Sequence, residues 1–581
     1  MGPTEIVLAA ILGVLVITLA TAFAPRLGIA GPLALVLIGI GVSLLPFVPP
    51  IEVDPELILV GVLPPLLYSA AVSMPAIEFR RDFRPIAGLS VLLVVVSTVV
   101  LALFFRAVIP ALDIYLALAL GAILSPTDAV ATSIVKRLGI SRRVVTLLEG
   151  ESLLNDATSL VILRTSLAAV AIGAGASAAP EASGFLETFL WGVLVALVVG
   201  GVIGWLNLRL RAALSHSAAG TAVGFIVPFA AYLPTEELGG SGLVAAVVAG
   251  IVTGQGSARW FTPEQRLSNE LNWRTIELVL EGAVFLLMGL ELKEILLDLR
   301  DSPQGIGQGV ALAAGALGLI LVVRAVYVAF LLWLQSRRAR RRGRRRERLD
   351  DAQQRLDAAA ERPPRFERTD PRVRQSRIAA ARARVSRMMA DLDYYQATPL
   401  GWKHGTVIVW AGMRGVVTLA AAQTLPRDSP DRALLVFVAF AVAVGSLMLQ
   451  GFTLRALVRM LRLDDSAQDA ITREEQTRID DALRRAAASA LEEPGLRKRD
   501  GTPFPEHLVQ RVGHRLTEPP DDDTTALARD LLELRMAMID AMRARLEELT
   551  HGGEYSTAAL RHALAELDAD ELSLQLRLDG D

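Results

Sequence analysis

Between Gly150 and Val161 the chain reads GESLLNDATSLV, which sets two acids, Glu151 and Asp156, in a stretch otherwise apolar enough for lipid. On a helix at about 100° per residue, Thr158, Glu151, Asn155, Ser159, Ser152 and Asp156 share one arc of roughly 160°. The leucines, Ala157 and Val161 fill the rest. Such a helix can line an internal cavity with one face and pack with the other. An acid at mid-membrane costs about 2.5 to 3.5 kcal/mol or more to insert, so it marks a partner, a cavity or a cargo. A desolvated carboxylate can hold a proton or a cation but gains little from both, and that competition couples the movement of the two.

Two further segments carry polar groups into apolar surroundings. In AILSPTDAVAT (122–132), Pro126 lacks a backbone donor and disfavours the helical conformation in the residue before it. The helix is expected to break there, turning freed carbonyls towards the same cavity as Asp128. In WAGMRGVVTLAAA (410–422), Arg414 stands between Gly412 and Gly415. A buried arginine needs an anionic partner, and Glu151 and the aspartates are the acids on offer.

The elements that must position these residues are apolar helices. Of the 581 residues 52% are hydrophobic, and runs such as VLLVVVSTVVLALFF (91–105) far exceed an ordinary soluble helix face. Runs of about 20 residues, not alternating segments of about ten, select helices over an outer-membrane barrel. The expected fold class is an all-α polytopic membrane protein. No cysteine is present, which excludes disulfides, thiolate metal sites and cysteine nucleophiles. The six histidines form no metal-ligand spacing, so neither a metal centre nor any other cofactor is expected. The first residues lack a basic n-region and read as a first membrane helix, not a cleaved signal. Ile6 also removes the myristoylation pattern.

Thirteen apolar spans are expected: 5–24, 28–48, 56–76, 86–109, 113–135, 144–174, 184–208, 219–234, 240–256, 275–297, 306–335, 404–425 and 432–460. Loops alternate in charge between them, with FRRDFR (79–84) and KRLGISRR (136–143) in the basic set and IEVDPE (51–56), PEASGFLE (180–187) and PTEELGG (234–240) in the acidic set. The positive-inside rule puts the N-terminus outside and the C-terminus in the cytoplasm. If thirteen helices form two inverted six-helix repeats around the seventh, the interrupted segments 122–132 and 410–418 occupy corresponding positions, as in inverted-repeat transporters.

The expected organisation is membrane helices over 1–335, a basic cytoplasmic insert over 336–403, two further spans over 404–463 and an acidic helical regulatory domain over 464–581. The insert from Ser336 to Lys403 has 20 basic against 9 acidic residues and the tail 15 against 27, so the two are expected to dock. Anionic lipid beside the membrane explains the arginine run 337–348 better than nucleic acid does.

Taken together, SPTDAVA, GESLLNDA and GMRGVVTLA, in this order, resemble the cation:proton antiporter-1 family of sodium/proton exchangers, which includes the bacterial NhaP-type proteins. LPPLLYSAA (63–71) and VFLLMGLEL (284–292) look like two further family segments, and the resemblance runs from about residue 5 to 460. It implies a homodimer in the plasma membrane, with a mobile core carrying Na⁺, or K⁺ or Li⁺, against H⁺ by alternating access. It also implies that Asp156 binds cation and proton in turn, that Asp128 and Ser152 help it, and that Thr127 lends a carbonyl. Asn155 in the family's Asn-Asp pair implies electroneutral one-for-one exchange. Glu151 and Arg414 match a structural ion pair. Ser69 departs from the family, where an acid is common.

Potassium/proton exchange is the main rival reading. A receptor or scaffold reading would rest on the tail alone. An intramembrane aspartyl protease would need a GxGD segment, which is absent, and an ion channel a continuous polar pore in place of one cluster. No enzymatic activity is expected.

Overall fold

The computed structural model describes residues 3–579 except 28, 47, 52, 129, 174–181, 215, 301–304, 340, 341, 362–370, 464–477, 480, 481, 484, 488, 492–496, 499, 500, 506, 508 and 510–524. The start of the acidic loop 180–187 and the start of the tail therefore lie outside the described residues. Among those described the protein is helical, with one isolated bridge between Arg497 and Pro503 and no strand.

The first helices are α1 (Pro3–Phe23), α2 (Gly31–Ser43), α3 (Leu63–Ser73), α4 (Ala76–Arg81), α5 (Phe83–Ala87) and α6 (Leu93–Val108). Wide π-turns over Leu57–Val62 and Gly88–Leu92 lead into α3 and α6. Then come α7 (Ile114–Leu124), α8 (Val130–Arg137), α9 (Arg142–Gly173), α10 (Ala182–Ala213), α11 (Ser217–Glu237) and α12 (Gly242–Trp260). The middle of the chain gives α13 (Pro263–Leu290), α14 (Leu292–Arg300), α15 (Ile306–Ala339), α16 (Arg342–Glu361) and α17 (Pro371–Ala397). It closes with α18 (Trp402–Trp410), α19 (Val416–Gln423), α20 (Arg432–Leu461), α21 (Thr525–Gly552) and α22 (Thr557–Asp579).

Seven of the described helices are long and apolar enough to cross a membrane: Val7–Arg26, Phe83–Val108, Arg142–Val170, Leu190–Ala213, Ser217–Glu237, Ile306–Arg337 and Arg432–Leu461. This is a multi-pass membrane protein. Leu57–Ser73 and Ile114–Leu124 are apolar but shorter, the second because the helix stops short of Pro126. Exposed rows such as Val7, Ile11 and Leu15 on α1, or Leu194, Val198 and Val202 on α10, repeat at four- or near-four-residue spacing and suit lipid, where apolar surface carries no penalty.

The chain divides into two compact units. The first, residues 1–257, 268–335 and 400–464, holds a main apolar core in which α7 is almost wholly enclosed by α6, α9, α19 and α20, and a smaller core around Tyr68, Val227 and Trp273. The second comprises 258–267, 336–399 and 465–581. Insert and tail therefore fall in one unit, and they bring with them the α12–α13 corner over 258–267, which the sequence assigns to the membrane part. Arg266, in the first turn of α13, explains the difference, since its Nε donates to Asp568 of α22 at 2.8 Å. Within the unit α16 and α17 are cross-linked by Arg346–Asp393 and Arg382–Asp357, each at 2.7 Å. Lys498 reaches Asp530 at 2.7 Å beside a small core of Ala487, Phe504, Leu534 and Met538. Ser386 of α17 donates to Glu554 at 2.7 Å, at the turn between α21 and α22. Removing residues 525–581 from the full chain should therefore speed limited proteolysis within α17. An unchanged cleavage rate there would count against insert–tail docking.

Candidate cation-binding site

The first unit contains two broken helices that meet. α7 ends at Leu124 and α8 begins at Val130, with Pro126, Thr127 and Asp128 in the gap. α18 ends at Trp410 and α19 begins at Val416. The Asp128 N–H donates to the carbonyl of Met413 at 2.8 Å, so the two gaps are stitched through their backbones. Asp128 also accepts the N–H of Val130 at 3.2 Å and so caps α8. Its carboxylate occupies the space where a side chain at position 415 would begin, which is why glycine stands there, at the start of α19. The positive ends of α8 and α19 thus both face the Asp128 carboxylate and complement its charge.

The arginines arrange themselves differently from the sequence expectation. Glu151 is paired with Arg324 of α15, not with Arg414: Nη2 donates to Oε2 at 2.8 Å and Nη1 to Oε1, with both side chains buried. Arg324 also donates through Nε to the carbonyl of Ile408, 3.0 Å away, in the last turn of α18. A Cβ at position 412 would lie 2.5 Å from that nitrogen, so Gly412 makes room for the guanidinium. Arg414 instead serves backbone. Its Nε donates to Leu124 O at 3.1 Å, Nη2 to Ser125 O at 3.3 Å and Nη1 to Gly412 O, while its own N–H donates to Ser446 Oγ at 2.9 Å. The physical reason is the break itself, because unpaired carbonyls at the negative end of α7 draw the nearest guanidinium. The fork geometry of Arg324 then takes both oxygens of Glu151.

The polar arc of α9 faces this crossing. Asn155 Nδ2 donates to Thr127 Oγ1 at 2.7 Å and to the Thr127 carbonyl at 3.3 Å. Thr127 Oγ1 in turn donates to Glu151 Oε1 at 3.2 Å. Asn155 Oδ1 is buried and has no hydrogen-bond partner among the described residues. Asp156 is 7% exposed, and among the described residues its carboxylate pairs with no base and accepts no hydrogen bond. Asp128 is the charged group that acts on it. Ser152 is buried on the same arc, one turn before Asp156, and Ser159 donates to the Asp156 carbonyl at 2.9 Å. Asp156, Asp128, Asn155, Thr127 and Ser152 are thus brought together. Glu151 sits beside them as a neutralised brace, and Arg414 ties the crossing from the carbonyl side.

Sequence reasoning missed Arg324, a lone cation in the otherwise apolar span 306–335, and that oddity was the available signal. It also missed Asp82 and Arg143, both fully enclosed, where Arg143 Nη2 meets Asp82 Oδ1 at 2.9 Å and holds the start of α9 to the α4–α5 corner. Ser69, where the family often has an acid, donates to Glu277 of α13 at 3.4 Å. Among the described residues no group of three His, Asp or Glu is placed to hold a metal ion.

Residues 12–360, more than half of the chain, match the family described as sodium/hydrogen exchanger, transmembrane. The chain belongs to that family. An uncharacterised Na(+)/H(+) exchanger of Mycobacterium tuberculosis is 26% identical over 578 residues, covering 96% of this chain and 94% of its own length. A Na(+)/H(+) antiporter of Aphanothece halophytica is 26% identical over 439 residues, 75% of this chain and 70% of its own. The solved structure of a sodium proton antiporter from Methanocaldococcus jannaschii shares the fold, with a TM-score of 0.54 over 80% of this chain and 98% of that one, at 17% identity. The 410–418 segment lies past the matched stretch, so its place in this exchanger-family member comes from the crossing geometry.

Truncating Arg324 to Ala leaves Glu151 charged and enclosed, a loss of about 3 to 5 kcal/mol. The expected result is a large fall in the monodisperse fraction and melting temperature of the detergent-purified protein. Pairing Arg324→Ala with Glu151→Gln should recover part of both, whereas pairing it with Arg414→Ala should not.

Proposed function

We propose that this protein exchanges Na⁺ for H⁺ across the plasma membrane, one for one and without net charge movement, with Asp156 as the carboxylate that the two ions hold in turn. The observation that carries this is the condition of Asp156, enclosed yet without a base or a donor among the described residues, on the same helix as a Glu151 that Arg324 already neutralises. An enclosed carboxylate in that state must be neutralised by something that arrives and leaves. The ligands we assign beside it are the Asp128 carboxylate, the Thr127 carbonyl, the Ser152 hydroxyl and Oδ1 of Asn155, which is buried without a hydrogen-bond partner among the described residues. That all-oxygen set suits an alkali cation. Asn155 is neutral, so it adds no second proton to the cycle.

The rest of the reading follows from topology. Thirteen spans in two inverted six-helix repeats around α10 would make α7–α8 and α18–α19 equivalent, which their meeting at Asp128 and Met413 supports. The charge alternation of the loops supports an external N-terminus and a cytoplasmic insert and tail, with the arginine run against anionic lipid. A homodimer, with the crossing helices and α9 moving as a core against a scaffold, completes the alternating-access reading.

In proteoliposomes carrying a pH-sensitive dye, Asp156→Asn should abolish Na⁺-driven proton movement, and retained exchange would sink the assignment. Addition of Na⁺, K⁺ and Li⁺ in turn separates sodium from potassium exchange. Proton and cation compete for one carboxylate, so lowering pH on the cation side should raise the apparent KM for Na⁺ while leaving the rate at saturating Na⁺ unchanged. Clamping the membrane potential should leave the rate unchanged too, and a potential-dependent rate would overturn one-for-one exchange.

A further inference from the structure

A cavity of about 220 Å³ opens beside the outer half of α9, lined there by Leu160, Val161, Arg164 and Thr165 and on the far side by Glu236 and Ser241. Leu160 stands one turn beyond Asp156 and Arg164 a further turn on, about 6 and 12 Å along the helix axis. The far wall is held by hydrogen bonds. Gly240 N–H donates to Thr235 O at 2.8 Å, Ser241 N–H to Gly192 O at 3.3 Å, and Trp191 Nε1 to Leu238 O at 3.2 Å, which fixes the α11–α12 corner against α10. Glu236 is built into that corner, with Oε1 accepting the Gly242 N–H at 2.8 Å at the start of α12. Its other oxygen is taken by Arg164, which also donates to the Tyr232 hydroxyl at 3.4 Å. The ion pair is partly open to the cavity, with the Arg164 side chain 49% exposed.

We propose that this cavity is the outer vestibule for a hydrated monovalent cation, with Glu236 as its carboxylate and Arg164 as the tethered charge that holds that carboxylate until the cation displaces it. The inference rests on the exchange reading above and on the external placement of the acidic 234–240 corner. A cavity of this size holds several waters, enough for a cation to keep part of its shell. Leu160 is among its lining residues, so an ion here is one apolar turn along α9 from Asp156. Both the guanidinium and an alkali cation answer to the same Glu236 oxygen, and at a half-open site the difference between them is small enough for exchange.

The test uses the full chain in vesicles of both orientations. Glu236→Gln keeps an acceptor for the Gly242 N–H and removes the charge, so the fold is retained. It should raise the apparent KM for Na⁺ at the outer face by about two- to fivefold and leave the inner-face KM unchanged. Arg164→Gln removes the competitor and should shift the outer KM down. A purely structural pair would give equal damage at both faces from both variants, and that outcome, or an unmoved outer KM, overturns the proposal. Because the chain has no cysteine, Thr165→Cys supplies a single thiol that an impermeant maleimide should reach from outside only, more slowly in the presence of Na⁺. Labelling from the inner face overturns the vestibule even where exchange is normal. Absence of Na⁺-driven proton flux in the unmodified protein, with external labelling intact, would instead remove the exchange reading.

Discussion

Inside a bilayer, a backbone N–H or C=O without a partner costs several kcal/mol, and this membrane protein interrupts two buried helices. Everything at the crossing follows from how those freed groups are met. Asp128 and Met413 satisfy each other's backbone. Arg414 gathers the carbonyls of Leu124, Ser125 and Gly412, and Arg324 takes that of Ile408. The Arg324 guanidinium then requires glycine at 412, and the Asp128 carboxylate requires it at 415. The opposite ends of the breaks are positive, and they face Asp128. The interruption thus creates both the demand for cations on one side and the setting for an anion on the other.

The two acids of the polar face are separated by what reaches them. Glu151 meets a planar fork that satisfies both its oxygens, together with the Thr127 hydroxyl. Asp156, five residues on and turned to the far margin of the arc, meets neither. The same helix therefore presents one carboxylate whose charge is spent on structure and one whose charge is available. Asn155 links them by tying the Thr127 loop to α9, so the geometry of the free acid depends on the bound one.

What the sequence made legible was what local periodicity encodes. The polar arc over 151–159, the break at Pro126 and the glycine-flanked gap around Arg414 all depend on residues within a few positions of one another, and each is where it was expected. The partner of Glu151 was not legible, because Arg324 lies 173 residues away and nothing local distinguishes it from Arg414 as the nearer cation. Arg414 reads as a salt-bridge residue in sequence because the backbone carbonyls it serves are freed only by the fold. Asp82 and Arg143 were hidden for the opposite reason: they sit in basic loop segments, where charge reads as solvated. The boundary of the second unit was missed at 258–267 because Arg266 finds Asp568 some 302 residues later.

α9 runs unbroken from Arg142 to Gly173, 32 residues and so about 48 Å, in a protein whose neighbouring crossing helices are cut in half. Near its start Arg143 is clamped to Asp82, near its middle stands the enclosed Asp156, and beyond that Arg164 grips Glu236. An uninterrupted helix is stiff along its axis, so it behaves as a beam with a fastening towards each end and its load at the centre. Tilting such a beam to loosen one fastening presses on the other. The two ends of α9 are thereby coupled through the helix itself, with no need for any separate signal between them.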